Sequence, residues 1–205
     1  MYTRSNHTVN LSPRFRILSD DQIAELHLAT LEVLRRTGVD VQEPAAVERL
    51  ARAGCWVDGK RVRFPAHLVE WAIETAPSTV MLCDRTGRPA VALQGERAYF
   101  GTGSDTPNIV DLETGERRPV VKEDVARTSR LVDALPHIAF MMCSGIASDV
   151  HEAVSDLHHF EAMVSNTTKP IAFTAWSLDN LKDIVEMAEA VAGGAEALRR
   201  SPFCA

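Results

Sequence analysis

The chain has 205 residues, 45% apolar and 24% charged, with a formal net charge of −6. No stretch interleaves Lys and Arg with aromatics, so nucleic acid is excluded as a partner. No apolar run approaches the ~20 residues of a membrane-spanning helix, which excludes a membrane span. The length suits one large domain, or a small domain plus part of another. The cysteines Cys55, Cys83, Cys143 and Cys204 form no Cys-x-x-Cys pair, so free thiols are expected, with no metal. The start, MYTRSNHTVNLSP, lacks an apolar h-region, and the sum predicts a cytoplasmic protein without a signal peptide.

In chain order, residues 1–18 read as an arm. Residues 19–98 read as a helical lead-in with small β-hairpins. Ser19 suits an N-cap and Gln22 completes a capping box. Ile23, Leu26, Leu31 and Leu34 recur at helical spacing, and Gly38 stops the helix. A second helix starts at Pro44 and leaves at Gly54. The Asp58-Gly59 pair inside CWVDGKRVRF predicts a hairpin, and Pro65 opens a third helix. TVMLCD and RPAVAL are strand-like pieces on either side of Arg85–Arg88.

Residues 99–205 have another rhythm. Asp111–Arg118 reads as a hairpin turn around Thr114-Gly115, and Val121–Leu135 as a helix. HIAFMMCSG and KPIAFTAW are strand candidates one βα unit apart. Their unbroken apolar runs predict a parallel sheet covered on both faces. A helix beginning near His151 lies between them, and another runs from Leu178 to Gly193-Gly194. SPFCA follows where a further strand is due, so the sequence reads as the N-terminal piece of a longer protein. The alternative is a natural stop with a partner covering the edge.

FGTGSD, from Phe100 to Asp105, raises the question of a phosphate loop. It lacks a third glycine, an immediate helix and any GK[ST]. Two readings remain, a strand end bent at its glycines and a ligand-facing rim of Ser104, Asp105 and Thr106. Arg117-Arg118 is either a solvated charge cluster or a grip for an anion.

LSDDQIAELHLATLEVLRRTGVDV, GCWVDGKRVRFP, DLETGERRP with VKEDVARTSRLVDALPHIAF, and NTTKPIAFTAWS occur in this order. Together they resemble the N-terminal part of the trimethylamine methyltransferase (MttB-like) family, from about Leu18 onward. The resemblance implies an α/β fold, in which the lead-in precedes the first strands and helices of a TIM-type (β/α)8 barrel, incomplete in this chain. It implies a methyltransferase that moves a methyl group from a methylated amine to the cobalt of a corrinoid on a cognate partner protein. The amine is trimethylamine or a quaternary amine such as glycine betaine. No cofactor is expected to be bound directly, and a homo-oligomer is compatible with the family. Some relatives carry pyrrolysine, at a position that would lie beyond Ala205. This chain alone is expected to be inactive. The competing readings are a non-catalytic fragment and a TIM-barrel lyase; a lyase with a Schiff-base lysine finds no lysine at a strand end.

In such a barrel, chemistry sits at the C-terminal strand ends, near Gly103–Thr106, Ser144–Asp149 and Ala175–Ser177. The candidate substrate-binding residues are therefore Ser104, Asp105, His151 and Trp176. Asp105 faces a cationic ammonium or caps its own turn. Trp176 offers an indole face for cation–π attraction or fills a barrel layer. Asp149 caps the helix near His151 or joins the site. Of His158 and His159, one packs on the sheet and the other meets solvent. HExxxxxHH is not a metalloprotease motif. Lys169, at a strand start, belongs to the stability face.

Overall fold

The computed structural model describes residues 15–205, so most of the expected arm lies outside the described residues. Residues 15–78 form one compact unit and residues 79–205 another. The architecture is mixed α/β, with seven α-helices and several small sheets, and no barrel closes among the described residues.

In the first unit, α1 (Asp20–Arg36) starts at the expected capping box, where Ser19 Oγ accepts from Gln22 N–H and Gln22 Oε1 accepts from Ser19 N–H. Strand β1 (Val39–Asp40) follows, then α2 (Pro44–Arg52), which carries proline in its first turn. Strands β2 (Trp56–Asp58) and β3 (Arg61–Arg63) form the expected hairpin, and β1 pairs with the other side of β3. Gly38 has φ +69°, and a Cβ there would meet the Val62 carbonyl oxygen at 2.2 Å, so only glycine lets the chain leave α1 against β3. Helix α3 (Ala66–Thr75) packs on α1. Burial is sparse in this unit: Leu31, Cys55 and Val62 are inside, while Ile23, Leu26, Trp56 and Trp71 are exposed.

The second unit opens with the antiparallel hairpin β4 (Val80–Cys83) and β5 (Pro89–Leu93). The sequence rhythm groups this hairpin with the lead-in, yet its hydrogen bonds run forward. Cys83 N–H donates to Pro202 O, Arg85 N–H to Thr168 O (both 2.7 Å), and Arg85 Nη1 to Val164 O. A second hairpin, β6 (Asn108–Val110) and β7 (Arg117–Pro119), turns at Gly115 as expected. Then come α4 (Lys122–Ala134), β8 (Met141–Met142), α5 (Ser155–Asn166), β9 (Ile171–Ala172), α6 (Leu178–Ala192) and α7 (Ala195–Arg200).

β8 and β9 pair in parallel. Single parallel bridges extend the array on both sides: Gly101 to Phe140, Thr106 to Gly145, and Ile171 to Cys204. Four parallel segments therefore lie side by side, near residues 100–106, 139–145, 170–173 and 203–205. The regular ladders are shorter than the apolar runs suggest. Pro170 has no N–H to donate, so β9 begins after it, although Pro170 O still accepts from Met141 N–H at 2.8 Å. The tail SPFCA, where a further strand is due, lies along β9 through a single parallel bridge. Phe173 N–H donates to Ala205 O, and Ala205 N–H to Ile171 O.

The core closes between strand residues Met141, Cys143, Ile171 and Phe203 and helix residues Val125, Val132, Phe160, Met163, Ile184 and Ala188. Phe160 meets Phe173 edge-on, with ring centroids 5.5 Å apart. Phe140 and Met142, alternating with the buried positions, are only partly buried. The expectation of two covered faces is thus corrected: within these residues the helices cover one face well and leave the other partly open. At Gly101 the first segment runs so close to the second that a Cβ would lie 2.3 Å from the Phe140 ring.

Candidate functional site

Parallel segments share one direction, so their C-terminal ends gather Ser104 and Asp105, then Ser144–Asp149, then Trp176. Ser104 and Asp105 are exposed on the loop leaving the first segment. Asp105 has φ +60°, the only non-glycine positive φ among the described residues. Its N–H donates to Cys143 O at 3.0 Å, which holds the turn against the second segment. Aspartate tolerates the left-handed region better than most residues, but the conformation still carries strain. Neither glycine beside it forms a phosphate cradle followed by a helix, so FGTGSD is a strand end that bends into a loop.

Trp176 is 68% exposed and sits just before α6. Its indole is therefore not a packing residue in this chain. Ser177 caps α6, its Oγ accepting from Asn180 N–H at 3.1 Å. His151 is exposed and caps the short 3-10 turn Glu152–Val154, its Nδ1 accepting from Ala153 N–H at 3.3 Å. Asp149 does not cap that turn. Its Oδ1 accepts from Lys122 N–H at 2.8 Å, so it caps α4, a helix earlier in the chain.

The histidine pair divides in part: His159 packs inside as expected, whereas His158 is half-buried against Lys122 rather than in solvent. His159 is buried, and its Nε2 accepts from Ala147 N–H at 2.9 Å, which puts the ring proton on Nδ1. Burial pushes its pKa down, against the opposing pull of Asp105 and Asp156, so the ring is neutral. His158 Nδ1 lies 3.1 Å from Lys122 Nζ. Beneath the loop, burial pushes the Cys143 thiol up to about 11, and its Sγ lies 3.0 Å from Gly145 O. This thiol is a packed group rather than a nucleophile.

One residue of this end escapes a sequence reading. Asp156, in the first turn of α5, is 5% exposed. Its Oδ2 accepts from Trp176 N–H at 2.9 Å, and its Oδ1 from Asn180 Nδ2 at 2.7 Å and Leu157 N–H at 3.0 Å. In sequence it looks like an ordinary acidic residue at a helix start. The usable signal was topological, since a helix that follows a parallel strand begins at the strand's C-terminal end.

The opposite end is structural. Lys169 Nζ donates to the carbonyls of Val132, Leu135 and Ile138, closing the C-terminus of α4. Asp133 Oδ1 accepts from Thr168 N–H and from the hydroxyls of Thr167 and Thr168. Arg118, partly reached by solvent, is not open to an anion: it holds Asp124 through two parallel bonds of 2.6 and 2.9 Å, and Asp111 at 3.1 Å. Among the described residues no cluster of His, Cys, Asp or Glu is arranged to hold a metal ion, and no helix is long and apolar enough to cross a membrane.

Comparison with known proteins adds relatives to this geometry. The family model described as trimethylamine methyltransferase (MTTB) matches residues 2–205. The chain is 34% identical over 187 residues to a trimethylamine methyltransferase MttB of Desulfitobacterium hafniense, covering 90% of this chain and 38% of that protein. It is 28% identical over 196 residues to a glycine betaine methyltransferase of another strain of that organism, covering 94% and 40%. It is 28% identical over 197 residues to the trimethylamine methyltransferase MttB of Methanosarcina barkeri, covering 91% and 39%. The chain thus spans about two fifths of the length of these relatives. By this match along almost its whole length, the chain belongs to the trimethylamine methyltransferase (MTTB) family.

Proposed function

We propose that the protein carrying this chain moves a methyl group from a methylated amine to the cobalt of a corrinoid held by a partner protein. In this reading the four parallel segments are the first members of a (β/α)8 barrel, and the end bearing Ser104, Asp105 and Trp176 is part of its mouth. The observation that carries the reading is this juxtaposition, an exposed indole and an exposed carboxylate at one end of a parallel array, in a chain whose relatives are named for trimethylamine and glycine betaine.

For a quaternary ammonium the chemistry asks little of acids and bases, because the leaving group is a neutral amine. A quaternary ammonium has no N–H to donate, so a π face and a carboxylate carry its recognition. Trp176 supplies the face and Asp105 the counter-charge, with Ser104 on the same loop. His151 lies beyond the second segment, exposed to solvent, with its Nδ1 already accepting from Ala153 N–H. The transfer itself is an in-line displacement. The cobalt electron pair attacks the methyl carbon, the C–N bond breaks, and a quaternary ammonium leaves as the neutral amine with that bond's electrons; trimethylamine leaves as dimethylamine only when its nitrogen has first taken up a proton or another electrophile. The protein's part is to hold one methyl toward the acceptor and to keep water out. The corrinoid is the acceptor substrate, and the exposed loop at residues 103–107 leaves this end accessible to the partner that brings it. The 205-residue chain alone does not catalyse the transfer.

The test uses the full-length protein, a reduced corrinoid partner, and trimethylamine, glycine betaine and related amines. Methylation of the corrinoid is followed in the visible spectrum. Transfer from one or more of these amines is the expected result, and the active amine names the branch. Absence of transfer across the panel, with the corrinoid confirmed as reduced, contradicts the reading.

A further inference from the structure

Asp156 is a buried carboxylate with an unusual set of partners. Three neutral donors serve it: the main-chain N–H groups of Leu157 and Trp176 and the side-chain amide of Asn180. The nearby ring of His159 is neutral, because burial holds its pKa down. A buried carboxylate normally lies against a cation. Here its charge is met by hydrogen bonds and by the positive end of α5, where it occupies the first turn.

These bonds also decide where Trp176 sits. The Trp176 indole is largely exposed, and its backbone N–H is tied to Asp156. Asn180 is tied to the same carboxylate and also to Ala153 O at 2.8 Å, which joins the start of α6 to the turn before α5. The loop between β9 and α6 is therefore pinned from beneath by one side chain.

We infer that Asp156 is a positioning residue for cation recognition: it fixes the loop that presents the Trp176 indole, and its charge biases that end of the array toward an ammonium over a neutral group of the same shape. This inference rests on the methylated-amine reading above. Asp156 does not touch the substrate in it, and Trp176 and Asp105 do.

The bond pattern makes a specific variant informative. Asn at position 156 keeps one acceptor oxygen for three donors, so its own amide faces either the Trp176 N–H or the Asn180 amide and the Leu157 N–H. Combining Asp156→Asn with Asn180→Asp restores a donor–acceptor pair between the two positions and returns a negative charge beside them, at the cost of the bond from residue 180 to Ala153 O.

The experiment uses full-length protein carrying 5-fluorotryptophan, with the Trp176 fluorine resonance assigned by Trp176→Phe. It is titrated with tetramethylammonium chloride and, separately, with neopentyl alcohol, a neutral molecule of similar shape. In the parent protein tetramethylammonium moves the Trp176 resonance and neopentyl alcohol does not. Asp156→Asn weakens the tetramethylammonium response about tenfold, the size expected for losing one nearby charge at partial screening. The Asp156→Asn, Asn180→Asp pair recovers part of that loss, because the charge returns while the bond to Ala153 O does not. If Asp156→Asn does not fold, Asn180→Ala reads the same junction and is expected to give a smaller weakening.

A parent protein that responds to tetramethylammonium while Asp156→Asn binds it equally well overturns this inference alone, even if the variant's Tm is lower. A parent protein whose Trp176 resonance responds to no ammonium overturns the inference together with the reading beneath it.

Discussion

At Asp105 the demands of stability and of the proposed function oppose each other. Asp105 adopts φ +60°, where glycine is at ease and an L side chain is not. Asp105→Gly is therefore expected to stabilise the fold by up to ~1 kcal/mol, less the entropy glycine adds to the unfolded chain. The same change removes the carboxylate offered to the ammonium, so kcat/KM for methyl transfer falls. Urea unfolding and the transfer assay measure the two effects. Loss of stability without loss of transfer contradicts the role given to Asp105. His159 makes a pH prediction. Its folded pKa is pushed below the ordinary 6.5 by burial, with Asp105 and Asp156 pulling the other way and His158 adding to the fall. The unfolded chain therefore binds a proton first as pH drops. The stability contribution is complete above about 6.5 and is lost as pH falls through the folded value. His159→Gln keeps an acceptor for Ala147 N–H and has no titrating ring. Its urea midpoint should be flatter than the parent's between pH 7 and 5, and an equally steep dependence would place the titration elsewhere.

At the scale of elements, side chains far apart in sequence tie the ends of helices. Lys169 closes the C-terminus of α4, Asp149 caps its N-terminus, and Arg118 fixes Asp124 in its first turn. The Arg118 guanidinium, with the Val121 N–H, holds the Asp124 carboxyl below the usual range against its burial. That stabilisation is present above the ordinary carboxylate pKa and is lost as pH falls through the lower folded value. Asp124→Asn is expected to cost about 2 kcal/mol, reduced by solvent reaching Arg118, and to flatten the acid limb of a urea-midpoint profile. An unchanged acid limb would show that other carboxylates set it. The starts and stops of α1, α2 and α6 were legible because their signals are local: the Ser19–Gln22 box, Pro44, and Gly193 at φ +87°. The partner of Asp149 was not, because the residue that follows a strand near position 145 caps a helix starting at Lys122. The parallel pairing of Thr106 with Gly145, and the bonds from Ser148 N–H and Oγ to Val120 O, bring those positions together.

For the molecule as a whole, the sequence conveyed the βα rhythm and the type of each long element. It conveyed less about how far the strands would pair and which faces the helices would cover. Apolar runs such as IAFMMC mark burial without marking ladder length, and Pro170 and the half-buried Phe140 and Met142 set the difference. The candidate end was legible in part for the same reason. Asp105 and Trp176 announce themselves as a charge and an indole at strand ends, whereas Asp156 acquires its meaning only when Trp176 and Asn180 fold over it. The account's central claim is that one end of the parallel array serves the methylated amine while the other end serves stability. The most direct test measures kcat/KM for methyl transfer to the reduced corrinoid partner in full-length protein, comparing Asp105→Asn and Trp176→Ala with Lys169→Met. The account predicts falls of about tenfold or more for the first two, in line with loss of a charge or cation–π contact, and parent-like transfer for Lys169→Met below its lowered Tm. Parent-like transfer in both Asp105→Asn and Trp176→Ala would contradict it.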